Sequence, residues 1–280
     1  MVTNKRFRFN LWLLYAILIG SLLLSACSTA APPTTVATEV ATASVTAAPA
    51  PTLAQTAVSP TAGSPELTLD TGSTAAGFQT ETITAVTAAD NVPYWEVLPQ
   101  HTRVTLEGYP ITNHLMQPQI FIYPVEELKA ANEGAGQIVA SLQTLLQTPQ
   151  EMPNMPFLPL FNAAQVMHAH VQYLDFQNGQ GVRYLTEFDQ GIVPINNHEL
   201  IYTYQGLTSD GKYYVAAVLP VSHPSLPADE TVSGNEPAEF TSDFPAYLAN
   251  VAGTLNTQAA ATFTPDLTLL DAMMSSLEIR

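Results

Sequence analysis

Two histidines one residue apart, His168 and His170, are the side chains of this sequence best suited to chemistry. On an extended strand they share a face about 7 Å apart. The run Val166 to Gln177 reads as such a strand, followed by Asn178-Gly179 and a second strand-like run, Gln180 to Asp189. Asn-Gly between strands predicts a two-residue type I′ turn, because both turn residues must take positive φ. Pairing Gln177 with Gln180 then sets Tyr173 opposite Tyr184, Val171 opposite Thr186 and Ala169 opposite Phe188 on a mainly apolar face. The other face receives His168 and His170 opposite Asp189 and Glu187. Imidazoles beside carboxylates can hold zinc or move protons, so His168, His170, Glu187 and Asp189 are the candidate catalytic set. Two imidazoles fall short of the three or four converging ligands of a metal centre. No metal or other cofactor is assigned.

A second set of residues suits binding. Tyr202 and Tyr204 share one strand face by the two-residue period, and an aromatic face can stack on a sugar or peptide while its hydroxyl hydrogen-bonds. The Pro194-Ile195-Asn196-Asn197-His198 connection and the segment from Pro220 to Pro227 supply rims for such a groove, with Asn197 and His198 as polar contacts. Neighbouring Tyr213 and Tyr214 must point to opposite faces. Asp70-Thr71-Gly72-Ser73 is similar to the active-site signature of aspartic proteases, which implies Asp70 as a water-activating carboxylate. Those enzymes need two carboxylates sharing a proton, and this chain has no second Asp-Thr-Gly. Gly-x-Ser-x-Gly, Walker, dinucleotide, His-Glu-x-x-His and calcium-loop patterns are absent as well, so catalysis has no positive support in the sequence.

The elements that must position these residues are legible in outline. Val104 to Ile111 and Gln119 to Tyr123 read as strands; Ala135 to Gln147 carries apolar residues at helical spacing and is stopped by Pro149. The stretch Met152 to Pro159 is a proline-rich connection with apolar side chains to bury. His198 to Gln205 and Lys212 to Val221, joined through Ser209-Asp210-Gly211, extend the hairpin into a four-strand antiparallel meander over residues 166–221. Phe244, Tyr247, Leu248, Val251 and Leu255 predict a helix capped by Ser242 or Asp243. Thr264-Pro265-Asp266 reads as the start of another, with Leu267, Leu270, Met274 and Leu277 in one stripe. Segregated strands and helices point to an α+β class: an antiparallel sheet of about six strands with helices on one face.

The N-terminal region has a different character. Lys5, Arg6 and Arg8 precede an apolar run from Leu11 to Leu24, which ends in Leu24-Ser25-Ala26-Cys27 and holds the only cysteine. A basic segment, an apolar segment shorter than a spanning helix needs, and small residues before a cut describe an export signal. The four residues resemble the lipobox of bacterial lipoproteins. That resemblance implies residues 1–26 as a cleaved signal peptide, lipidation of Cys27, and a mature chain held to a cell or outer membrane on the extracytoplasmic side. Residues 27–66 are almost entirely Ala, Thr, Ser, Pro and Val, which predicts a disordered tether, and residues 67–280 form a single domain of adequate size for one core.

Removal of three of the eight basic residues leaves five against 24 acidic ones, a net charge of about −19. Nucleic acid is excluded as a partner by that balance, and membrane contact falls to the lipid. With its one thiol taken up by the lipid, the chain has no disulfide and no thiolate site. The expectation is a noncatalytic domain that binds a small ligand, a glycan or another envelope protein; the alternative is a hydrolase built on the 166–189 hairpin.

Overall fold

A computed structural model describes residues 65–280. The signal-like segment, Cys27 and most of the expected tether lie outside the described residues. Chain order is β1 (Leu67–Thr68), β2 (Gly77–Ile83), β3 (His101–Glu107), β4 (Gln119–Pro124), α1 (Val125–Ala131), α2 (Glu133–Gln147), β5 (Ala164–Phe176), β6 (Gly179–Asp189), β7 (Ile201–Thr208), β8 (Tyr213–Pro220), α3 (Ala238–Ser242), α4 (Phe244–Asn256), α5 (Leu267–Ser276) and β9 (Glu278–Ile279). The class is α+β. Seven strands form one antiparallel sheet in the order β2-β3-β4-β8-β7-β6-β5, and β1 pairs separately with β9. The expected meander is β5 to β8, joined to a second meander, β2 to β4, through β4 and β8.

Helices cover both faces of the sheet, not one. On β8, Val215, Ala217 and Leu219 enter a core with Leu255, Leu267, Leu270 and Met273 of α4 and α5. Tyr214, Ala216 and Val218 enter a second core with Leu128, Val139, Leu142 and Leu145 of α1 and α2. A central strand covered on both sides needs apolar residues without alternation, and Tyr213 to Pro220 reads that way. The adjacent tyrosines divide as their period requires, Tyr213 packing on the first core and Tyr214 inside the second. Met155, Phe157 and Leu158 of the proline-rich connection are buried in the second core.

Local chemistry sets the helix ends. The Asn132 side chain accepts from Ala135 N at the start of α2, and Asp243 does the same for Ala246 N in α4, each relieving one of the unpaired amides of a helix N-terminus. At α5, of the Thr264-Pro265-Asp266 start, it is Asp266 that caps, accepting from Thr268 N at 2.8 Å. Thr264 has its backbone engaged elsewhere, in a bridge with Ser222.

The hairpin turn also differs from expectation. Phe176 pairs with Gly179, so Gln177 and Asn178 form the turn, and neither Asn178 nor Gly179 takes positive φ. Asn178 is drawn into a tertiary role: its amide donates to Ile279 O and its Oδ1 accepts from Ile279 N, docking β9. Tyr173 therefore faces Val182, a displacement of two residues that keeps the faces near the turn. A bulge between Ala169 and Gln172 then inverts the parity, pairing Ala169 with Leu185, His168 with Thr186 and Met167 with Glu187.

Candidate functional site

That bulge separates the two histidines. Met167 and Ala169 belong to the α4–α5 core, so His168 between them lies on the opposite face from Glu187, where burial lowers its pKa against the opposing pull of Glu151. His170 occupies the bulge itself at φ 52°. Asn256 Oδ1 accepts from His170 N, and the His170 ring bonds Leu255 O, both at 2.6 Å. Arg183, ion-paired with Asp271 at 2.6 Å, donates to His170 O. His170 is a fastener between β5 and α4, and the proposed His-x-His face does not form.

Tyr202 and Tyr204 are not groove residues either. Both are 0% exposed; the Tyr202 hydroxyl donates to Asp271 and the Tyr204 hydroxyl to Leu174 O. Asp70, of the Asp-Thr-Gly-Ser stretch, accepts from Gly72 N through Oδ1, a local turn contact.

The carboxylates do gather. Glu187 and Asp189, two residues apart on β6, share a face, and with Glu199 they place carboxylate oxygens within 4.8 Å of one another. Glu187 is fully buried and accepts from Asn196 N at 3.1 Å and from Asn196 Nδ2 at 3.3 Å. Asn196 Nδ2 also reaches Glu199 at 2.9 Å. Burial pushes the Glu187 carboxyl up to about 9, aided by the charges of Asp189 and Glu199. Burial first, and then Glu199, raises Asp189 to about 6. At neutral pH Glu187 therefore keeps its proton and shares it with Asp189. His198, Glu199 and Glu230 form a second, more exposed group around the same Glu199, with His198 Nδ1 3.8 Å from Glu230. Two carboxylates and one imidazole fall short of a calcium shell of about six to eight oxygens, and the inner trio is held by a proton and Asn196. The set His168, His170, Glu187 and Asp189 does not converge, and Glu187 has no exposed surface through which a substrate could reach it.

The two connections expected to rim a groove do meet. Asn197 Nδ2 donates to His223 O and Leu226 O, both at 3.1 Å, while its Oδ1 accepts from His223 N at 2.8 Å. Asn197 thus holds the loop after β8 in place instead of presenting its amide to a ligand. The loop it holds forms one wall of a cleft of about 320 Å³ whose other wall is α4. Leu226, Pro237, Glu239, Tyr247, Val251 and Leu255 carry its lining. Tyr247 is fixed there: its hydroxyl accepts from Ile195 N at 3.1 Å, and its ring stacks on Phe244 at 5.6 Å. Sequence reasoning placed Tyr247 and Val251 on a helix but gave no reason for a cleft, because the second wall comes from residues without any period. A shallower groove of about 460 Å³ passes Tyr94, Asn132 and Gln137 and is more open to solvent.

Comparison with protein-family models, curated proteins and solved structures finds no match to this chain.

Proposed function

We propose that this chain is a lipid-anchored extracytoplasmic protein whose domain binds a ligand and performs no catalysis. The cleft between α4 and the loop after β8 carries this reading. It is concave, mostly apolar and edged by a few polar groups, the usual character of a small-molecule site. Of the candidate acid/base residues, by contrast, His170 and Glu187 are spent on structure and the set does not converge. The lipobox resemblance at Leu24-Ser25-Ala26-Cys27 supports the anchor, since two acyl chains give stable membrane attachment. Among the described residues, no helix is long and apolar enough to cross a membrane.

Two measurements test the proposal. Cys27→Ser is expected to shift the protein out of the membrane fraction or leave it uncleaved; unchanged processing and fractionation would remove the anchor from the reading. A broad thermal-shift screen of the mature chain is expected to give small-molecule hits that vanish in Asn250→Trp, which places an indole on an exposed position of the cleft lining. A screen without such hits defeats the binding reading.

A further inference from the structure

We infer that the cleft selects a small organic cation, an apolar body carrying one protonated amine or quaternary ammonium. This rests on the binding reading above and adds the chemical class of the ligand. Glu239 is the single charged side chain in the lining, and no described residue forms an ion pair with it. All five basic residues of the described domain are committed elsewhere: Arg103 to Glu81, Lys129 to Glu126, Arg183 to Asp271, Lys212 to Asp210 and Arg280 to Glu278. None of them lines the cleft.

The surrounding field has the same sign. Glu236 lies close enough to act on the Tyr247 hydroxyl. Hydrogen bonds from its own amide and from Ser233 and Gly234 lower its pKa. Burial lowers the pKa of His223, the imidazole bonded to the lining residue Ser225. An anionic ligand entering here would meet carboxylates and no cation, and charges at such range inside a concave wall are screened less than on open surface. Tyr247 adds an aromatic portion of the wall, buried against Phe240 and Phe244. Leu226, Pro237, Val251 and Leu255 take the apolar body, and Ser225, Asn250 and Thr254 supply polar edges. The volume lies near the lower end of the range for small-molecule sites, about 300 to 1,000 Å³, which limits the ligand to a compact one.

Three probes of similar shape separate charge from shape: 2-phenylethylamine, 2-phenylethanol and 3-phenylpropionate, titrated calorimetrically into the mature full-length chain. The amine is expected to bind at least about fivefold more tightly than the alcohol, corresponding to about 1 kcal/mol, with the carboxylate weakest. Glu239→Gln is expected to bring amine and alcohol to equal affinity, and Asn250→Trp to abolish both. Equal affinities in the unaltered protein, lost in Asn250→Trp, would overturn cation selectivity and leave the binding reading standing. Failure of all three probes to bind also overturns the inference, while the broad screen decides the binding reading separately. Persistence of the amine preference in Glu239→Gln would remove Glu239 from its role and the inference with it.

Discussion

Burial of Glu187 couples folding to pH. The unfolded chain releases this proton near its ordinary 4.5 and the folded chain near 9, so between those values the folded state binds more protons. Stability then falls as pH rises from about 4.5 to about 9 and levels off above. Asp189, raised from 3.8 to about 6, acts with the same sign in the lower window. Glu187→Gln keeps an acceptor for Asn196 and removes the titration. Thermal unfolding across pH 5 to 9 is expected to show a flatter profile for the variant and a gain at pH 8, the parent losing up to about 1.4 kcal/mol per pH unit at its steepest. An unaltered slope would place the dependence elsewhere. At this scale the sequence showed which residues were chemical but not where they pointed. Glu187 and Asp189 share a face by the strand period alone, whereas His168 and His170 are split by a bulge whose causes, Asn256, Leu255 and Arg183, lie up to 86 residues away.

Elements whose pattern is local were legible. The apolar spacing of α2, α4 and α5 placed each within a few residues, and the buried stripe Leu267, Leu270, Met274 and Leu277 is the one the sequence predicts. The turn between β5 and β6 was misplaced by one position because Asn178 is used to hold β9 and because Gly179 answers a spatial need: a Cβ there would meet the Phe176 ring and Leu207 O. Gly181 is under the same constraint, with Gln205 O and the Tyr204 hydroxyl both 2.6 Å from where a Cβ would stand. Gly181→Ala must therefore move both a backbone carbonyl of β7 and the fully buried Tyr204. A loss of about 1 to 3 kcal/mol is expected, the usual cost of overpacking, measured by urea denaturation. Gly211→Ala is the control: its site has open space but φ of +72°, so strain acts there without collision. A loss at Gly181 no larger than at Gly211 would show that the sheet yields around Tyr204.

Across the whole molecule, charge and layering dominate. The described domain has five basic side chains, all paired, and the remaining carboxylates repel one another across its surface. Exposed ion pairs contribute only about 0 to 1 kcal/mol each, so screening relieves more repulsion than it removes attraction. The melting temperature is expected to rise as salt goes from about 0.01 M to about 1 M, where the screening length shrinks from about 30 Å to about 3 Å. A fall over that range would mean the pairs outweigh the surplus. The α+β class and the meander were readable because both follow from element order. The second helical layer was harder to read, since a continuous apolar strand such as β8 announces two covered faces only when its neighbours are known.

The pairing of β1 with β9 brings the two ends of the described domain together, apart from the main sheet. Glu66 and Arg280 exchange two backbone hydrogen bonds, at 3.1 and 2.8 Å, and Asn178 grips Ile279 from the hairpin turn. A pull applied between the two ends of the described domain would load this antiparallel clasp one residue pair at a time. The clasp is two residues long on each strand, so single-molecule stretching between the two ends is expected to open it as a separate, lower-force event before the seven-stranded sheet gives way.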